Sequence, residues 1–357
     1  MSELLKNMKV TVIGAGYMGS AITYPLSENG YKINLVGTWL DDKIIESSIN
    51  GYHPKLKKPL PNNVSLSYWK DMPSAVKDAD IIFIAVLSEG FVNVFSNVLD
   101  KLNKNCYFFK LTKGLVQYKN QIVRATYAAL DMLNEKFPNE KIMWSTVGGS
   151  VKAVELSDKI PTASVYGISN NVTKDLPFSF STEYYPITIT DDIIGVEISS
   201  AFKNVYSIAI GICDGLFKAT REGNYHNFNA FLYNQACIEM SIMAEAAGGR
   251  KETVFNLAGI GDFYVSSLSG RNRLYGEFIG KGNKPDEIFK KMFEEGEVAE
   301  GYKALELGVN WVNSLDKNLI RKLPLLLSLY KIVFEFKNPI VELKNFILKM
   351  KERFQNS

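Results

Sequence analysis

A glycine-rich turn between a short apolar strand and a helix constrains the fold of this chain more than any other feature. Residues Lys9–Ile13 are predicted to form a buried strand that leads directly into Gly14-Ala15-Gly16-Tyr17-Met18-Gly19. The helix that follows is expected to stop at Gly30, and a second strand begins at Lys32. In such a turn the first glycine permits a tight bend, the second lets the backbone approach a pyrophosphate, and the third allows close packing of helix on strand. The pattern predicts a dinucleotide site at the start of the first helix.

The second strand ends without the acidic residue that usually binds a ribose 2′-hydroxyl. Its end reads Val36-Gly37-Thr38-Trp39, and Asp41 and Asp42 lie a few residues too late. Without a carboxylate at this place a 2′-phosphate is not repelled, so the sequence leaves NAD and NADP open, with a slight lean to NADP, although no nearby arginine supports that lean. The predicted contacts of NAD(P) in this region are Gly14, Gly16, Tyr17, Met18, Gly19, Thr38 and Trp39.

Short strand-like runs alternate with helix-length segments over the first half of the chain. The runs are 9–13, 32–36, 81–86, 106–111, 142–146, 163–166 and 187–190. Such alternation predicts a parallel sheet with helices on its faces. After Asp191 the pattern becomes helical, with helices expected at 193–213, 226–247 and 301–314 and two more beyond Lys322, and with Asp191 or Asp192 capping the first. We therefore expect an α/β Rossmann-type dinucleotide-binding domain over 1–190 and an all-α substrate-binding domain over 191–357.

Composition excludes several classes of function. The 357 residues exceed what one hydrophobic core usually supports, in agreement with two domains. The formal charge is only +3, without a long Lys/Arg block, so no nucleic acid partner is expected. Three cysteines without metal-ligand spacing and only two histidines indicate a reducing compartment and no metal site. We expect a cytoplasmic protein without membrane insertion, because residues 1–8 hold no signal-like apolar segment and no run approaches about 18 apolar residues.

Two further strand ends are expected to face the ligand, because ligands of such sheets bind beyond the carboxyl ends of the strands. Val86 ends the strand at 81–86 and Phe91 follows it, and both are predicted to contact the cofactor, with a core position on the following helix as the alternative for Phe91. Lys113 follows the strand at 106–111 and precedes Gly114. Its charge is suited to stabilise negative charge on a carbonyl oxygen, and a solvated loop lysine is the alternative.

A stripe of polar residues interrupts the apolar helix predicted after residue 193. Its members follow spacings of three and four: Glu197, Ser200, Asn204, Ser207 and Gly211, with Lys203 beside them. Such a stripe either meets solvent or lines a site. A desolvated lysine is suited to donate a proton to a developing alkoxide, so Lys203 is the candidate general acid. Asn204 is the candidate for a hydrogen bond to substrate or to a catalytic group.

An anion site is predicted near the middle of the second domain. Gly261-Asp262 is followed by Ser266, Arg271 and Asn272, which combine hydroxyl, guanidinium and amide donors. A phosphate favours these donors, whereas Asp262 is better suited to hold a catalytic lysine protonated. A capped turn between two helices is the alternative. Glu300, in a glycine-bracketed acidic turn, is a candidate contact to the cofactor, and a plain helix start explains it equally well.

Taken together, these segments resemble the soluble glycerol-3-phosphate dehydrogenase family over nearly the whole chain. The matching motifs are the glycine turn 14–19, the strand-tip Lys113, Phe202-Lys203-Asn204, Gly261-Asp262 with Arg271-Asn272, and Val298-Ala299-Glu300-Gly301. The resemblance implies a Rossmann domain followed by an all-helical domain, a plan similar to that of 6-phosphogluconate dehydrogenase. It also implies reversible NAD(P)H-dependent reduction of dihydroxyacetone phosphate to sn-glycerol 3-phosphate, a step in glycerophospholipid and carbohydrate metabolism.

The resemblance also implies roles for single residues. Lys203 and Lys113 act on the substrate carbonyl opposite the nicotinamide, and Asp262 supports the catalytic lysine. The phosphate is held by Ser266, Arg271 and Asn272, and Glu300 touches the cofactor. The segments around Trp39 and His53-Pro54 look closest to archaeal members, some of which favour NADP.

One segment departs from the family pattern, and other functions stay open. The bacterial Gly-Pro-Ser-Phe-Ala motif reads here Gly148-Gly149-Ser150-Val151-Lys152, and Ser150 is expected to face the substrate. The alternatives are a 2-hydroxy-acid or ketopantoate-type reductase, whose substrate lacks phosphate, and a catalytically silent NAD(P)-binding sensor. The oligomeric state is also open, with a homodimer among the possibilities.

Overall fold

The computed structural model describes Leu5, residues 7–217 and residues 225–356. The chain divides into two compact units, Met1–Glu197 and Ile198–Ser357. Each unit has its own secondary structure, which is α/β in the first and helical in the second. The predicted combination of a Rossmann-type domain with an all-helical domain is confirmed.

The first unit is built on a sheet of eight strands, accompanied by a separate hairpin. The strands of the sheet are β1 (Lys9–Ile13), β2 (Lys32–Val36), β3 (Val64–Ser67), β4 (Ile81–Ile84), β5 (Tyr107–Lys110), β8 (Met143–Gly148), β9 (Ser164–Ile168) and β10 (Ile187–Thr190). Their spatial order is β10-β9-β8-β5-β4-β1-β2-β3. The hairpin consists of β6 (Leu115–Tyr118) and β7 (Gln121–Arg124). The glycine turn after β1 thus lies at the centre of the sheet.

All seven predicted strands are present in the sheet, and three others were not predicted. The edge strand β3 reads Val-Ser-Leu-Ser and has no fully buried residue, so its apolar signal is weak. The hairpin turns at Lys119 and Asn120, both with positive φ, and lacks the glycine that usually marks such a turn. The predicted parallel sheet contains one antiparallel pairing, between β8 and β9.

Helices cover both faces of this sheet and enclose a separate apolar cluster on each face. The helices of the unit are α1 (Tyr17–Glu28), α2 (Asp42–Ile49), α3 (Met72–Lys77), α4 (Ser88–Leu99), α5 (Ala125–Lys136), α6 (Ala153–Ser157) and α7 (Asp175–Phe178). Phe83 and Phe109 belong to one cluster, whereas Ile82 and Phe108 belong to the other. Neighbouring residues of a strand therefore serve opposite faces, as the pleat of a strand requires.

Helix α8 (Ile193–Phe217) begins at the end of the first unit and continues into the second. Asp192 caps it, because its Oδ1 accepts the Gly195 N–H at 2.8 Å, as the sequence predicts. The helix is long and apolar enough to cross a membrane, but 89% of its apolar window is buried inside the protein, as in a core helix. Its polar stripe is buried too, with Glu197 1% and Ser207 0% exposed. The alternative of a solvated stripe is therefore wrong.

The second unit is helical throughout its described residues. Its helices after α8 are α9 (His226–Ala246), α10 (Lys251–Val254), α11 (Asp262–Leu268), α12 (Arg271–Gly280), α13 (Pro285–Glu294), α14 (Glu300–Leu315), α15 (Pro324–Phe334) and α16 (Pro339–Asn356). The helices predicted at 226–247, at 301–314 and twice beyond Lys322 are confirmed. Residues 259–273 form a π turn, α11 and the start of α12, with a short turn at Ser269-Gly270 between the two helices, so the alternative of a capped turn stays open.

Helices α8 and α12 pack with their backbones in contact. A Cβ on Gly211 would lie 1.9 Å from the Arg273 carbonyl oxygen, and one on Gly276 would lie 2.1 Å from the Ile208 carbonyl oxygen. Only glycine permits such an approach at both positions. Gly211, predicted as part of the polar stripe, therefore serves helix packing and fixes the start of α12 close to α8.

Candidate functional site

The glycine turn has the geometry that its three glycines predict. Gly14 has φ +103°, and a Cβ there would lie 2.6 Å from the Ala85 carbonyl oxygen at the end of β4. A Cβ on Gly19 would lie 1.9 Å from the Gly14 carbonyl oxygen. The first glycine therefore makes the bend and the third allows α1 to pack closely on the turn, as in dinucleotide-binding sheets.

Gly16 differs from the other two glycines because it faces open space. A Cβ at this position would meet nothing within 4 Å. It precedes α1 and has no side-chain cap, and the first N–H groups of any helix lack partners inside the helix. Tyr17 and Met18, the other predicted contacts in the turn, are half-buried. The turn therefore fits a dinucleotide, whose pyrophosphate would fill the space beside Gly16 and accept from the start of the helix.

The end of β2 has one carboxylate, and it is already hydrogen-bonded inside the protein. Asp41 Oδ2 accepts from the Thr38 N–H and the Thr38 hydroxyl, both at 2.8 Å, and from the Ala15 N–H at 3.2 Å. Asp41 is 7% and Thr38 8% exposed, whereas Trp39 is 39% exposed. The Asp41 carboxylate thus ties the end of β2 to the glycine turn instead of facing a ribose.

Val86 and Phe91 have different environments. Val86 is half-buried beside the glycine turn, with its Cγ1 3.2 Å from the position of a Cβ on Gly14. Phe91 is 0% exposed and stacks on Phe95, with ring centroids 5.8 Å apart. The predicted contact of Phe91 with the cofactor is therefore corrected. The ring has no accessible surface left, so the core alternative holds.

Lys113 lies in the loop after β5, half-buried and followed by Gly114 with φ +110°. Lys110, at the end of the strand itself, is 1% exposed, and its ammonium donates to the Thr112 carbonyl oxygen at 2.7 Å. The backbone that leads to Lys113 is thereby held from inside the unit. The proximity of the two ammonium groups also contributes to the lowered pKa of Lys110, after burial as the main cause.

The buried ion-pair network around Glu197 was not predicted from the sequence. Glu197 lies 3.1 Å from the ammonium of Lys110 and 3.0 Å from the guanidinium of Arg124, and it accepts the Thr126 N–H at 2.9 Å. Burial acts to raise the pKa of Glu197, but the two cations hold it below its ordinary value. The first polar residue of the α8 stripe is thus an anchor to the sheet. A lysine inside the otherwise apolar strand β5 was the available signal.

Ser150 lies half-buried in the turn after β8. Its carbonyl oxygen accepts the Thr162 hydroxyl at 2.7 Å. Gly149, with φ +115°, leaves no room for a Cβ, which would lie 2.7 Å from the Ala163 carbonyl oxygen. Lys152 points its charge to the surface, with the side chain 43% exposed and 3.5 Å from Glu155.

In the second unit, three predicted residues meet around Lys203. Lys203 is 5% exposed, and its ammonium donates to the carboxylate of Asp262 and, at 2.9 Å, to the hydroxyl of Ser266. The Ser266 hydroxyl in turn donates to the Asp262 carbonyl oxygen at 2.9 Å. The pairing of Lys203 with Asp262 is the one expected from the sequence. The carboxylate offsets the cost of burying the ammonium and gives it a fixed direction.

The remaining predicted residues of this unit form a second group, centred on Glu300. Its carboxylate accepts from the Asn204 amide at 3.3 Å and from the Arg271 guanidinium at 3.4 Å. Asn272 Oδ1 accepts the Gly301 N–H at 2.7 Å, which ties α12 to the start of α14. The Arg271 side chain remains 34% exposed. A guanidinium held at a fixed place, with exposed surface, is suited to bind an anion.

Arg273 lies near this group in sequence but has another role. Its guanidinium pairs with the Asp214 carboxylate, whose side chain is 3% exposed, and lies 3.6 Å from Glu277. The guanidinium of Arg273 is therefore bound inside the unit. No functional role was predicted for His53 from the sequence. Its side chain is 0% exposed and lies beneath the glycine turn.

Known protein families match residues in both units. The family model described as the N-terminus of NAD-dependent glycerol-3-phosphate dehydrogenase matches residues 9–174, and the model of its C-terminus matches residues 192–344. An NADP(+)-dependent glycerol-3-phosphate dehydrogenase of Archaeoglobus fulgidus is 32% identical, over 92% of this chain and 96% of its own length.

Two further relatives extend the comparison. A glycerol-3-phosphate dehydrogenase [NAD(P)+] of a Thermoanaerobacter species is 31% identical, over 93% of this chain and 94% of its own length. The crystal structure of glycerol-3-phosphate dehydrogenase from Coxiella burnetii has the same fold, with a TM-score of 0.82 at 24% identity, covering 96% of this chain and 99% of that one.

Proposed function

Since the chain belongs to the NAD-dependent glycerol-3-phosphate dehydrogenase family, we propose that it reduces dihydroxyacetone phosphate to sn-glycerol 3-phosphate, reversibly and with NAD(P)H. The observation that carries the proposal is the buried pair of Lys203 and Asp262, because a charged lysine held inside a protein at a fixed direction is suited to proton transfer. The glycine turn with open space at Gly16 supports the cofactor half of the reaction.

The proposed cofactor site comprises the turn 14–19, Thr38, Trp39 and Val86, with Lys113 and Glu300 as further contacts. When bound, the reduced nicotinamide supplies the hydride. We lean to NADP, because the only carboxylate in residues 37–41 is bound to three donors of the protein itself. The name of the Archaeoglobus relative, NADP(+)-dependent, agrees with this lean.

Lys203 is the proposed general acid. Asp262 and Ser266 orient its ammonium, and Asp262 keeps it charged until the ketone oxygen gains negative charge. Lys203 then donates a proton to that oxygen. Lys113 is the proposed second cation on the same oxygen, where a fixed positive charge stabilises the transition state. Asn204 is the proposed hydrogen-bond partner of the substrate hydroxyl.

The phosphate of the substrate is assigned to Arg271, Asn272 and Ser266, and Ser150 is a further proposed contact to the substrate. Arg271 offers an exposed guanidinium, and its present partner Glu300 lies at the outer limit of a hydrogen bond, 3.4 Å away. A phosphate dianion attracts a guanidinium more strongly than a single carboxylate does, so phosphate can displace Glu300 from Arg271. Remote binding of this kind orients the ketone for reaction.

The remaining proposals concern the organisation of the protein. We assign dinucleotide binding to residues 1–190 and substrate binding to residues 191–357. A homodimer in the cytoplasm is the proposed assembly and location, without nucleic acid or membrane partners, and size-exclusion chromatography with light scattering tests the assembly.

The test is a steady-state assay of purified protein against a matrix of cofactors and substrates. Dihydroxyacetone phosphate should be reduced with NADPH, NADH or both, and 2-ketopantoate and pyruvate should not be. Glycerol 2-phosphate should compete with the substrate, since it offers the same phosphate without the ketone. A folded protein that reduces dihydroxyacetone phosphate with neither cofactor would refute the proposal, and turnover of 2-ketopantoate alone would favour the ketopantoate-type alternative.

A further inference from the structure

Three side chains from outside the glycine motif hold the peptide groups of Ala15, between the first two glycines. On one side the Ala15 N–H donates to Asp41 at 3.2 Å. On the other side the Ala15 carbonyl oxygen accepts the Ser20 hydroxyl at 3.2 Å and lies 3.2 Å from His53 Nε2. Ser20 Oγ and His53 Nε2 are themselves 2.8 Å apart, and both side chains are 0% exposed. The carbonyl is therefore held from beneath the turn.

The hydrogen bonds of His53 define which ring nitrogen carries the proton. The Leu56 N–H donates to Nδ1 at 3.1 Å, so Nδ1 is an acceptor and the proton of the neutral ring is on Nε2. Burial is the main cause that lowers the pKa of His53, and the nearby Lys55 charge lowers it further, in agreement with a neutral ring. Nε2–H therefore donates toward Ser20 and the Ala15 carbonyl.

The direction of this carbonyl determines the direction of the next amide. The carbonyl of Ala15 and the N–H of Gly16 belong to the same peptide group, and the peptide bonds of the described chain are trans. In a trans peptide the C=O and N–H point in opposite directions. With the carbonyl held inward by His53 and Ser20, the Gly16 N–H points outward, at the glycine whose Cβ position faces open space.

We propose that His53 is a positioning residue for the cofactor: through Nε2 it fixes the Ala15–Gly16 peptide so that the Gly16 N–H is ready to bind the dinucleotide pyrophosphate. The inference rests on the proposed function, because it takes the turn to be the pyrophosphate site. Preorganisation of a donor lowers the cost of binding, so loss of this hold weakens the cofactor.

The same histidine also stabilises its own turn, which is the competing explanation for its burial. The His53 N–H donates to the Lys58 carbonyl oxygen at 2.9 Å, the Lys57 N–H donates to the His53 carbonyl oxygen at 2.8 Å, and Nδ1 accepts from Leu56. Nδ1 therefore stabilises the turn at 53–58, whereas Nε2 contacts the glycine turn. Two substitutions can separate them.

The test compares His53→Gln with His53→Asn. Glutamine places an amide N–H near the position of Nε2 but offers nothing at Nδ1, whereas asparagine offers an acceptor near Nδ1 and nothing at Nε2. Dissociation constants of NADPH and NADH are measured by calorimetry, together with kcat, the KM of dihydroxyacetone phosphate and the melting temperature. We expect His53→Asn to raise the cofactor dissociation constant about tenfold with the substrate KM unchanged, and His53→Gln to stay near wild type.

The reverse order, with affinity lost in His53→Gln and kept in His53→Asn, would overturn the inference in favour of a role in the turn alone. Equal wild-type affinity in both variants would overturn it as well. If His53→Asn does not fold, His53→Gln decides: near-wild-type affinity supports the role of Nε2, and lost affinity in the folded variant rejects it. Wild-type protein that binds neither nucleotide would refute the proposed function, and the inference with it.

Discussion

The glycine turn of the first unit and the Lys203 group of the second are built in different ways. The turn offers backbone groups and space, and its key residues lie within Gly14–Gly19. The Lys203 group and the Glu300 group beside it consist of charged and polar side chains from α8, α11, α12 and α14, nearly 100 residues apart in sequence at the extremes, from Lys203 to Glu300.

This difference predicts how each site fails. A site made of backbone and space is sensitive to added volume, because a single Cβ changes what can approach. A site made of buried charges is sensitive to lost partners, because an unpaired charge in a protein interior is costly.

Lys203→Ala should lower kcat by on the order of a thousandfold, because the transition state loses its proton donor. The cofactor dissociation constant should not change, since no contact of the glycine turn is altered. The measurement is single-turnover reduction of dihydroxyacetone phosphate alongside a nucleotide titration. Lys331→Ala serves as control, because Lys331 is a half-exposed lysine of the same unit 3.8 Å from Glu342. An equal loss in both variants would contradict the assignment of Lys203.

Substitutions of Arg271 and Arg273 should have different effects, one on substrate binding and the other on stability. Arg271→Gln should raise the KM of dihydroxyacetone phosphate about a hundredfold, because a charge-assisted contact to phosphate is lost, while the cofactor KM is unchanged. Arg273→Gln should leave the substrate KM nearly unchanged and lower the melting temperature, because Asp214 is left buried without its partner. Steady-state kinetics and thermal unfolding of both variants check this, and exchanged outcomes would contradict the phosphate assignment.

Substitutions of Gly16 and Gly19 in the glycine turn should also have different effects, one on cofactor binding and the other on stability. Gly16→Ala should leave the melting temperature unchanged, since its Cβ meets nothing within 4 Å, and should weaken cofactor binding about thirtyfold by filling the pyrophosphate space. Gly19→Ala should lower the melting temperature, because its Cβ would lie 1.9 Å from the Gly14 carbonyl oxygen. Calorimetric titration and thermal unfolding measure the two effects. A stable Gly16→Ala protein with wild-type affinity would place the pyrophosphate elsewhere.

Glu239 is a buried carboxyl of the second unit, and none of the hydrogen bonds described for it comes from a cation. It accepts from Tyr206 at 2.8 Å, Gln235 at 2.9 Å, and the N–H groups of Leu325 at 2.7 Å and Leu326 at 2.9 Å. Burial nevertheless raises the pKa of Glu239 from 4.5 to about 7. Between these values the folded protein keeps a proton that the unfolded chain has released.

Its contribution to stability therefore decreases as the pH rises from about 4.5 to about 7. The decrease in the free energy of unfolding that Glu239 causes should be at most about 1.4 kcal/mol per pH unit. This decrease should be absent from Glu239→Gln, whatever the absolute stability of that variant. Urea unfolding of both proteins across this pH range measures the slopes. Identical pH dependence of the two proteins would show that Glu239 does not titrate in this window.

The residues that local pattern predicted well are those whose role depends on neighbours in sequence. The strands at 9–13, 32–36 and 187–190 are present within their predicted bounds, and the cap at Asp192 is made. The pairing of Lys203 with Asp262 came from the resemblance and from the chemistry expected of a buried lysine, because 59 residues separate the two.

Other features depended on partners that sequence order does not reveal. Phe91 was predicted to contact the cofactor, but periodicity does not distinguish a cleft-facing from a core-facing aromatic residue. The antiparallel strand β9 has the same apolar signal as a parallel one. The ion pairs of Lys110 with Glu197 and of Arg273 with Asp214 join residues 87 and 59 positions apart.

Sequence pattern alone established the order of seven of the ten described strands, the bend at Gly14 and the chemical types available to the site. These follow from side-chain volume, backbone freedom and apolar periodicity, which act over a few residues. Only the tertiary structure decided that Asp41 is bound to the glycine turn, that His53 lies beneath Ala15 and that Glu300 joins Asn204 to Arg271. The physical reason is that a hydrogen bond needs its partners within about 3 Å, and the path of the whole chain sets such distances.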